Sequence, residues 1–165
     1  MLLTTDAGRL HRAKQAQVTQ SFRSTTLEKV IPASYRDPEG HWYGVVLSSF
    51  GIAYNRDVLW LIGAAEPRTW SDLADPRFDR WLALADPAHS GSVRVTYNAI
   101  FQYYGYDKAL ATLRRVFANA RYFAPSSSKV PVDVSHGEAA AGICIDFYGR
   151  YQAQHVGAGK LVDGP

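Results

Sequence analysis

The sequence predicts an α/β fold with a mainly parallel or mixed sheet, and three observations carry that prediction. Short runs of strand length, residues 81–85, 119–123 and 139–145, alternate with longer segments of helical period. The runs at 81–85 and 139–145 are almost wholly apolar, as suits strands covered on both faces. Each strand candidate is followed by small or polar residues that favour a turn or a helix start.

Taken in order, residues 1–5 read as a strand and Asp6 as the N-cap of a helix reaching about Ala16. Pro32 breaks the next segment, and Arg36-Asp37-Pro38-Glu39-Gly40 is a turn by composition. Residues 42–47 and 51–55 are aromatic and β-branched and read as extended, with Ser48 and Ser49 between them. A helical turn or two from Arg56 closes at Gly63, and 69–75 is a short helix with Thr69 or Ser71 as cap and Pro76 as stop. Ser90-Gly91-Ser92 precedes a helix from Val93 to about Tyr104, which Gly105 ends. Asp107 is expected to cap a second helix through Ala118, with Leu110, Leu113, Val116 and Phe117 inward. Pro125 to Lys129 reads as a polar loop, and residues 135–138 as a turn. The last strand runs into Asp146-Phe147-Tyr148 and a helix over about 149–154, after which 157–160 has no closing element.

Composition narrows the function. With 165 residues, 47% of them hydrophobic, the chain can bury a sizeable core. Net charge is +3 with the basic residues scattered, so no nucleic-acid footprint is present. Cys144 is the single cysteine, which excludes an internal disulfide, and its apolar setting predicts a buried inert thiol. No apolar run reaches membrane-spanning length, and Thr4, Thr5, Asp6 and Arg9 interrupt any signal-peptide core. The five histidines show no metal-ligand spacing, and His89 beside Ser90 lacks an oriented acid, so no catalytic residue is assigned and an enzyme is not expected.

Binding chemistry concentrates at the strand ends. The first turn of a helix offers unpaired N–H groups and a positive dipole end, so Ser90, Gly91 and Ser92 form a candidate anion cradle. Ser48 and Ser49, Ser126 to Ser128 (Ser127 at their centre), and Asp146 with Tyr148 occupy equivalent positions, and Asp6 follows Thr4 and Thr5 in a fifth. Singly, each set also reads as a cap or turn. In α/β sheets, ligands bind beyond the carboxyl ends of strands, which favours a shared cleft.

The ordered segments TTDAGRLHRAKQA (4–16), IPASYRDPEGHWYG (31–44), FGIAYN (50–55), TWSDLADP (69–76), LADPAHSGSV (84–93) and GEAAAGICIDFYGRYQ (137–152) resemble the periplasmic substrate-binding proteins of ABC importers. The closest branch is the ferric-iron type, within a larger set that includes thiamine and phosphorylated-sugar binders. The resemblance implies a type II periplasmic-binding fold in which lobe closure, not chemistry, does the work. Residues 1–45 would be part of the first lobe, 46–55 hinge-crossing strands, 56–152 the second lobe, and 153–165 the start of a truncated return. It further implies a fragment, a periplasmic setting, an ABC permease as partner, and self-association through exposed first-lobe surface. No cofactor is expected other than a metal ion, ferric or another, carried as solute.

The solute is where this chain departs from the family. Iron-binding relatives place paired tyrosines at the positions matching 146 and 147, and phenolates suit a hard ferric ion. Asp146 and Phe147 stand there, with a tyrosine only at Tyr148, which argues against a tyrosinate ferric site. Relatives also carry arginines in the stretch matching 47–50, where this chain has Ser48-Ser49-Phe50. Asp146 and Tyr148 remain candidate metal ligands. Asp146 is equally a candidate acceptor for an ammonium or hydroxyl group, or an N-cap. Ser90 and Ser92 favour an anionic moiety such as phosphate or carboxylate.

Overall fold

The computed structural model describes residue 4, residues 6–156 and the backbone of 159–163, so the strand expected over residues 1–5 lies largely outside the described residues. The chain forms two compact units, Met1–Leu47 and Ser48–Pro165.

The first unit is held by polar contacts. Helix α1 (Ala7–Gln15) starts on Asp6, whose side chain accepts from the amides of Gly8 and Arg9 at 2.9 and 3.3 Å. Helix α2 (Thr25–Val30) starts on Ser24 in the same way. Lys14 reaches from α1 to Asp37 at 2.9 Å and Glu39 at 2.8 Å, while Asp37 also accepts from the amides of Glu39 and His41. Residues 42–47 form no strand: their one ladder contact is an isolated antiparallel bridge between Arg36 and Tyr43. β-Propensity alone does not make a strand without a paired neighbour and a face to bury.

The second unit is a five-stranded mixed sheet in the order β3-β2-β4-β1-β5, built from β1 (Phe50–Asn55), β2 (Leu82–Ala85), β3 (Ala120–Ala124), β4 (Ala141–Ile145) and β5 (Gly159–Asp163). β2 is parallel to both β3 and β4, whereas β1 runs antiparallel to β4 and β5. β2 sits between two neighbours and all four of its residues are buried, which is why its sequence is an unbroken apolar run. Gly142 permits the closest packing. A Cβ there would stand 2.4 Å from both the Ala83 carbonyl oxygen and Val130 Cγ1. The core gathers Ile52, Leu73, Phe78, Leu82, Leu84, Val93, Ile100, Val116, Val130 and Ile143 around the sheet. Cys144 lies within it, and burial pushes its thiol up to about 12, as expected of an inert cysteine.

Several local expectations are corrected. Helix α3 (Arg56–Leu61) is capped by Asn55. The segment capped by Thr69 is a 3-10 turn, Trp70–Ala74, that ends before Pro76 as expected, and Pro76 opens a second short 3-10 turn, Pro76–Phe78. Helix α4 spans Gly91–Tyr104, so Gly91 and Ser92 belong to its first turn, and Ser90 is the cap. Helix α5 (Tyr106–Ala118) is preceded by Gly105, at φ 78°, so Asp107 lies inside its first turn and does not cap it. Leu110 and Phe117 are only partly buried. Residues 129–135 fold as helix α6 (Lys129–Ser135), with Pro131 tolerated in its first turn, where its missing N–H has no helical partner to lose. Helix α7 (Asp146–Val156) begins directly at Asp146, so Asp146 is its first residue rather than a distant cap for 149–154. Beyond it, β5 closes the sheet against β1 where no element was expected.

Candidate functional site

Strand direction decides which candidate residues share an edge. Because β2, β3 and β4 are parallel, the segments leaving their carboxyl ends emerge on one side of the sheet. These segments carry Ser90 and Ser92, Ser126 to Ser128, and Asp146. β1 enters from that same side, since Phe50 pairs with Ile145 in antiparallel register. Ser49 accepts the Asp146 amide through its backbone oxygen at 3.0 Å, tying Ser48-Ser49 to the start of α7. Four of the five polar sets read from the sequence therefore lie along one edge of the second unit. Asp6 belongs to the first unit, where it caps α1.

Two groups form along that edge. In one, the Ser92 hydroxyl lies 3.1 Å from that of Ser90 and 2.9 Å from that of Ser127, and all three residues are buried. The turn that delivers them is built on Asp86. Its amide bonds to Ala124 O of β3 at 2.8 Å, its backbone oxygen accepts from Ser90 N at 2.8 Å, and its carboxylate accepts from Ala88 N at 2.8 Å and meets His89 Nδ1 at 2.6 Å. The Ala88 amide, then His89, hold the Asp86 carboxyl below its ordinary range. Under the turn, Tyr97 of α4 donates to Ala85 O at 3.3 Å, and burial pushes its phenol well up, so it acts as a neutral donor. Ser90 accepts from Val93 N at 3.5 Å, a long cap contact. Each serine hydroxyl carries a donor proton that can be turned to an incoming anion, beside the positive end of a 14-residue helix.

The second group is Asp146, Phe147 and Tyr148 with Ser49. Oδ1 of Asp146 is buried and has no hydrogen-bond partner, and Oδ2 lies 3.9 Å from Arg150 Nε. Phe147 and Tyr148 are partly exposed with ring centroids 4.3 Å apart. No set of three His, Cys, Asp or Glu side chains among the described residues is arranged to hold a metal ion.

Sequence reading passed over Arg94. It stands four residues after the cap Ser90 and donates its backbone N–H to Ser90 O at 3.3 Å, yet Nε and Nη2 of its guanidinium are buried without a partner. The only sequence signal is a cation one turn into a helix that begins Ser-Gly-Ser. Also unread was the anchoring of the Ser126 to Ser128 loop. Lys129 Nζ sits 2.6 Å from both oxygens of buried Asp133, which the Tyr122 hydroxyl also meets.

Residues 1–158 match the family described as bacterial extracellular solute-binding protein. The chain belongs to that family. Iron uptake protein A2 of Synechocystis sp. is 40% identical over 78 residues, covering 47% of this chain and 22% of that protein. Among solved structures, the periplasmic binding protein AfuA of Actinobacillus pleuropneumoniae, with fructose-6-phosphate bound, superposes with a TM-score of 0.83 at 23% identity, over 90% of this chain and 48% of AfuA. Apo ferric ion-binding protein A of Pasteurella haemolytica gives 0.78 at 24% identity, over 99% of this chain and 53% of its own. The fold is thus that of the type II periplasmic binding proteins, and this chain spans about half the length of those solved structures and less of that curated relative.

Proposed function

We propose that the chain is the solute-capturing part of an ABC-importer binding protein working outside the cytoplasmic membrane. Its solute is a small anionic molecule held at the carboxyl edge of the sheet, and a permease receives it. Ser90, Gly91, Ser92 and Ser127 form the anion-binding wall, with Ser48, Ser49, Asp146 and Tyr148 along the same edge. Binding and release, rather than bond chemistry, are the activity. Asp6 lies in the first unit and caps α1 there. The single observation that carries the reading is the buried Ser90–Ser92–Ser127 hydroxyl set at the start of α4. These hydroxyls are bonded to one another, and their protons can be turned from those contacts to an anion at the helix start.

A solute-binding role also fits the named relatives, which are an uptake protein and binding proteins for ferric iron or a sugar phosphate. Tyrosinate capture of ferric iron is not the reading supported, because Asp146 and Phe147 occupy the expected tyrosine positions. No helix among the described residues is long and apolar enough to cross a membrane. The test is a thermal-shift screen of the full-length protein against phosphate esters, phosphonates, carboxylates, ferric salts, polyamines and amino acids. An anionic solute should raise Tm, by about 2.7 kcal/mol of added stability at a hundred times its Kd. A protein stabilised by no solute of any class would sink the proposal.

A further inference from the structure

Among the described residues, four buried side-chain atoms lack a hydrogen-bond partner: Trp42 Nε1, Arg94 Nε and Nη2, and Asp146 Oδ1. Trp42 belongs to the first unit. The other three atoms belong to two side chains of opposite charge in the second unit, Arg94 in the opening turns of α4 and Asp146 at the first residue of α7. Both residues are partly exposed, but a buried hydrogen-bonding atom left without a partner on a charged group costs stability, and a bound solute can supply the missing partner. Long side chains on a helix lean back over the turn on their N-terminal side. For Arg94 that turn is the one opened by Ser90, to whose backbone oxygen it is already bonded. α4 follows β2 and α7 follows β4, and these two strands are neighbours in parallel register, with Ala83 beside Gly142. The carboxyl ends of these strands are therefore neighbours, about 5 Å apart, so the segments leading to α4 and α7 leave from adjacent points on one edge of the sheet.

We propose that Arg94 and Asp146 are the two poles of the solute site. Arg94 is the counter-charge for the anionic group that the serines hold. Asp146 Oδ1 accepts a hydrogen bond from an ammonium or hydroxyl at the solute's other end. The solute class is then an organic anion that also carries a donor, and a simple oxyanion or a bare metal ion satisfies only one pole. Arg150 does not remove the need at Asp146, because it approaches Oδ2 from a half-exposed position at 3.9 Å and leaves Oδ1 bare. This inference rests on the anion-binding reading above and adds to it a residue and a selection rule.

Calorimetry on the full-length protein tests it with two matched series: ethyl phosphate, 2-aminoethyl phosphate and 2-hydroxyethyl phosphate; then propionate, β-alanine and 3-hydroxypropionate. Within at least one series a donor-bearing member should bind tenfold or more tighter than its plain alkyl analogue, and the preferred member tells ammonium from hydroxyl. Asp146→Ala should bring the pair within about twofold. Arg94→Gln should weaken every member at least tenfold, Arg94→Lys should restore part of that loss, and the unliganded Tm of Arg94→Gln should be unchanged or higher. A merely structural arginine would instead lower the unliganded Tm. Equal binding of alkyl and donor-bearing members, or full affinity in Arg94→Gln, overturns the proposal. So does a protein that ignores both series but binds ferric ion or plain phosphate, and that outcome leaves solute binding itself standing.

Discussion

The two units of this chain are held together by different forces. In the second, a continuous set of buried apolar side chains surrounds a five-stranded sheet. In the first, no described apolar residue is buried. Among its described residues only Asp37 and Gly40 are buried, and cohesion comes from the Lys14, Asp37 and Glu39 contacts together with the Phe22 to Gly40 pairing. Val18, Phe22 and Val30 there are well exposed. The second unit carries its own hydrophobic driving force, whereas the first relies on a few directional bonds with modest net worth. Substitutions of one kind should therefore have unequal effects in the two.

Glycines give the sharpest contrast. Gly142→Ala drives a methyl into the Ala83 backbone oxygen and Val130, neither of which is a flexible end that can swing aside. Separation of β2 from β4 or of α6 from the sheet must follow, and the cost should be about 3 kcal/mol or more. A thermal melt followed by near-ultraviolet circular dichroism should show the main transition lowered steeply or abolished; an unchanged melt would mean the packing at Gly142 is looser than described. Asn119→Ala comes next. Its side-chain amide donates to Leu73 O at 2.9 Å and Asp75 O at 2.8 Å, joining the end of α5 to the short turns before β2. Orphaning two carbonyls should cost about 1–3 kcal/mol, read as a lower denaturation midpoint at constant m-value. Gly40→Ala is the counterpart in the first unit. At φ 81° its new Cβ would lie 2.9 Å from Phe22 O. It should break the Phe22–Gly40 pairing and speed proteolysis near residues 38–42 while leaving the main transition within about 1 °C. A shift of the main melt as large as that of Gly142→Ala would refute the contrast.

The same contrast explains what could be read from the sequence. The second unit was legible because burial dictates residue type: the runs at 82–85 and 141–145 admit little but strands, and the Ser-Gly-Ser turn after Asp86-Pro87 marks a helix start. Strand-end positions for Ser90, Ser127 and Asp146 followed from that alternation, and the parallel register then put them on one edge. Helix α6 was missed because a seven-residue segment containing Pro131 carries too little periodicity to announce itself. β5 was missed because its pairing with β1 is a long-range fact. Residues 42–47 misled for the opposite reason: β-branched composition without a partner strand is only half of a strand. Arg94 was invisible because its significance is an absence of partners, which only packing reveals.

The smallest expected effect is also the most specific to the first unit. Burial pushes the Asp37 carboxyl up, but the Lys14 hydrogen bond and the amides of His41 and Glu39 outweigh it and leave the group below its ordinary 3.8. A carboxyl whose folded pKa lies below its unfolded value stabilises the fold fully above the unfolded value, and that contribution drains away as pH falls through the folded one. Lys14 has the opposite sign. Its bonds to Glu39 and then Asp37 raise it above 10.5, so its contribution is complete below that value and lost only in stronger base. The Lys14–Asp37 clasp should thus be intact across neutral pH and loosen first on the acid side, below about pH 4. Protection of the Glu39 and His41 amides, which both bond to Asp37 Oδ2 at 3.1 Å, reports it directly. In the unsubstituted protein, their protection factors should fall below about pH 4 while amides of β4 stay protected. In Asp37→Asn they should be low already at pH 7 and indifferent to acid. Equal loss in β4 over the same range would mean the two units share one acid-sensitive transition, and the contrast between them would fail.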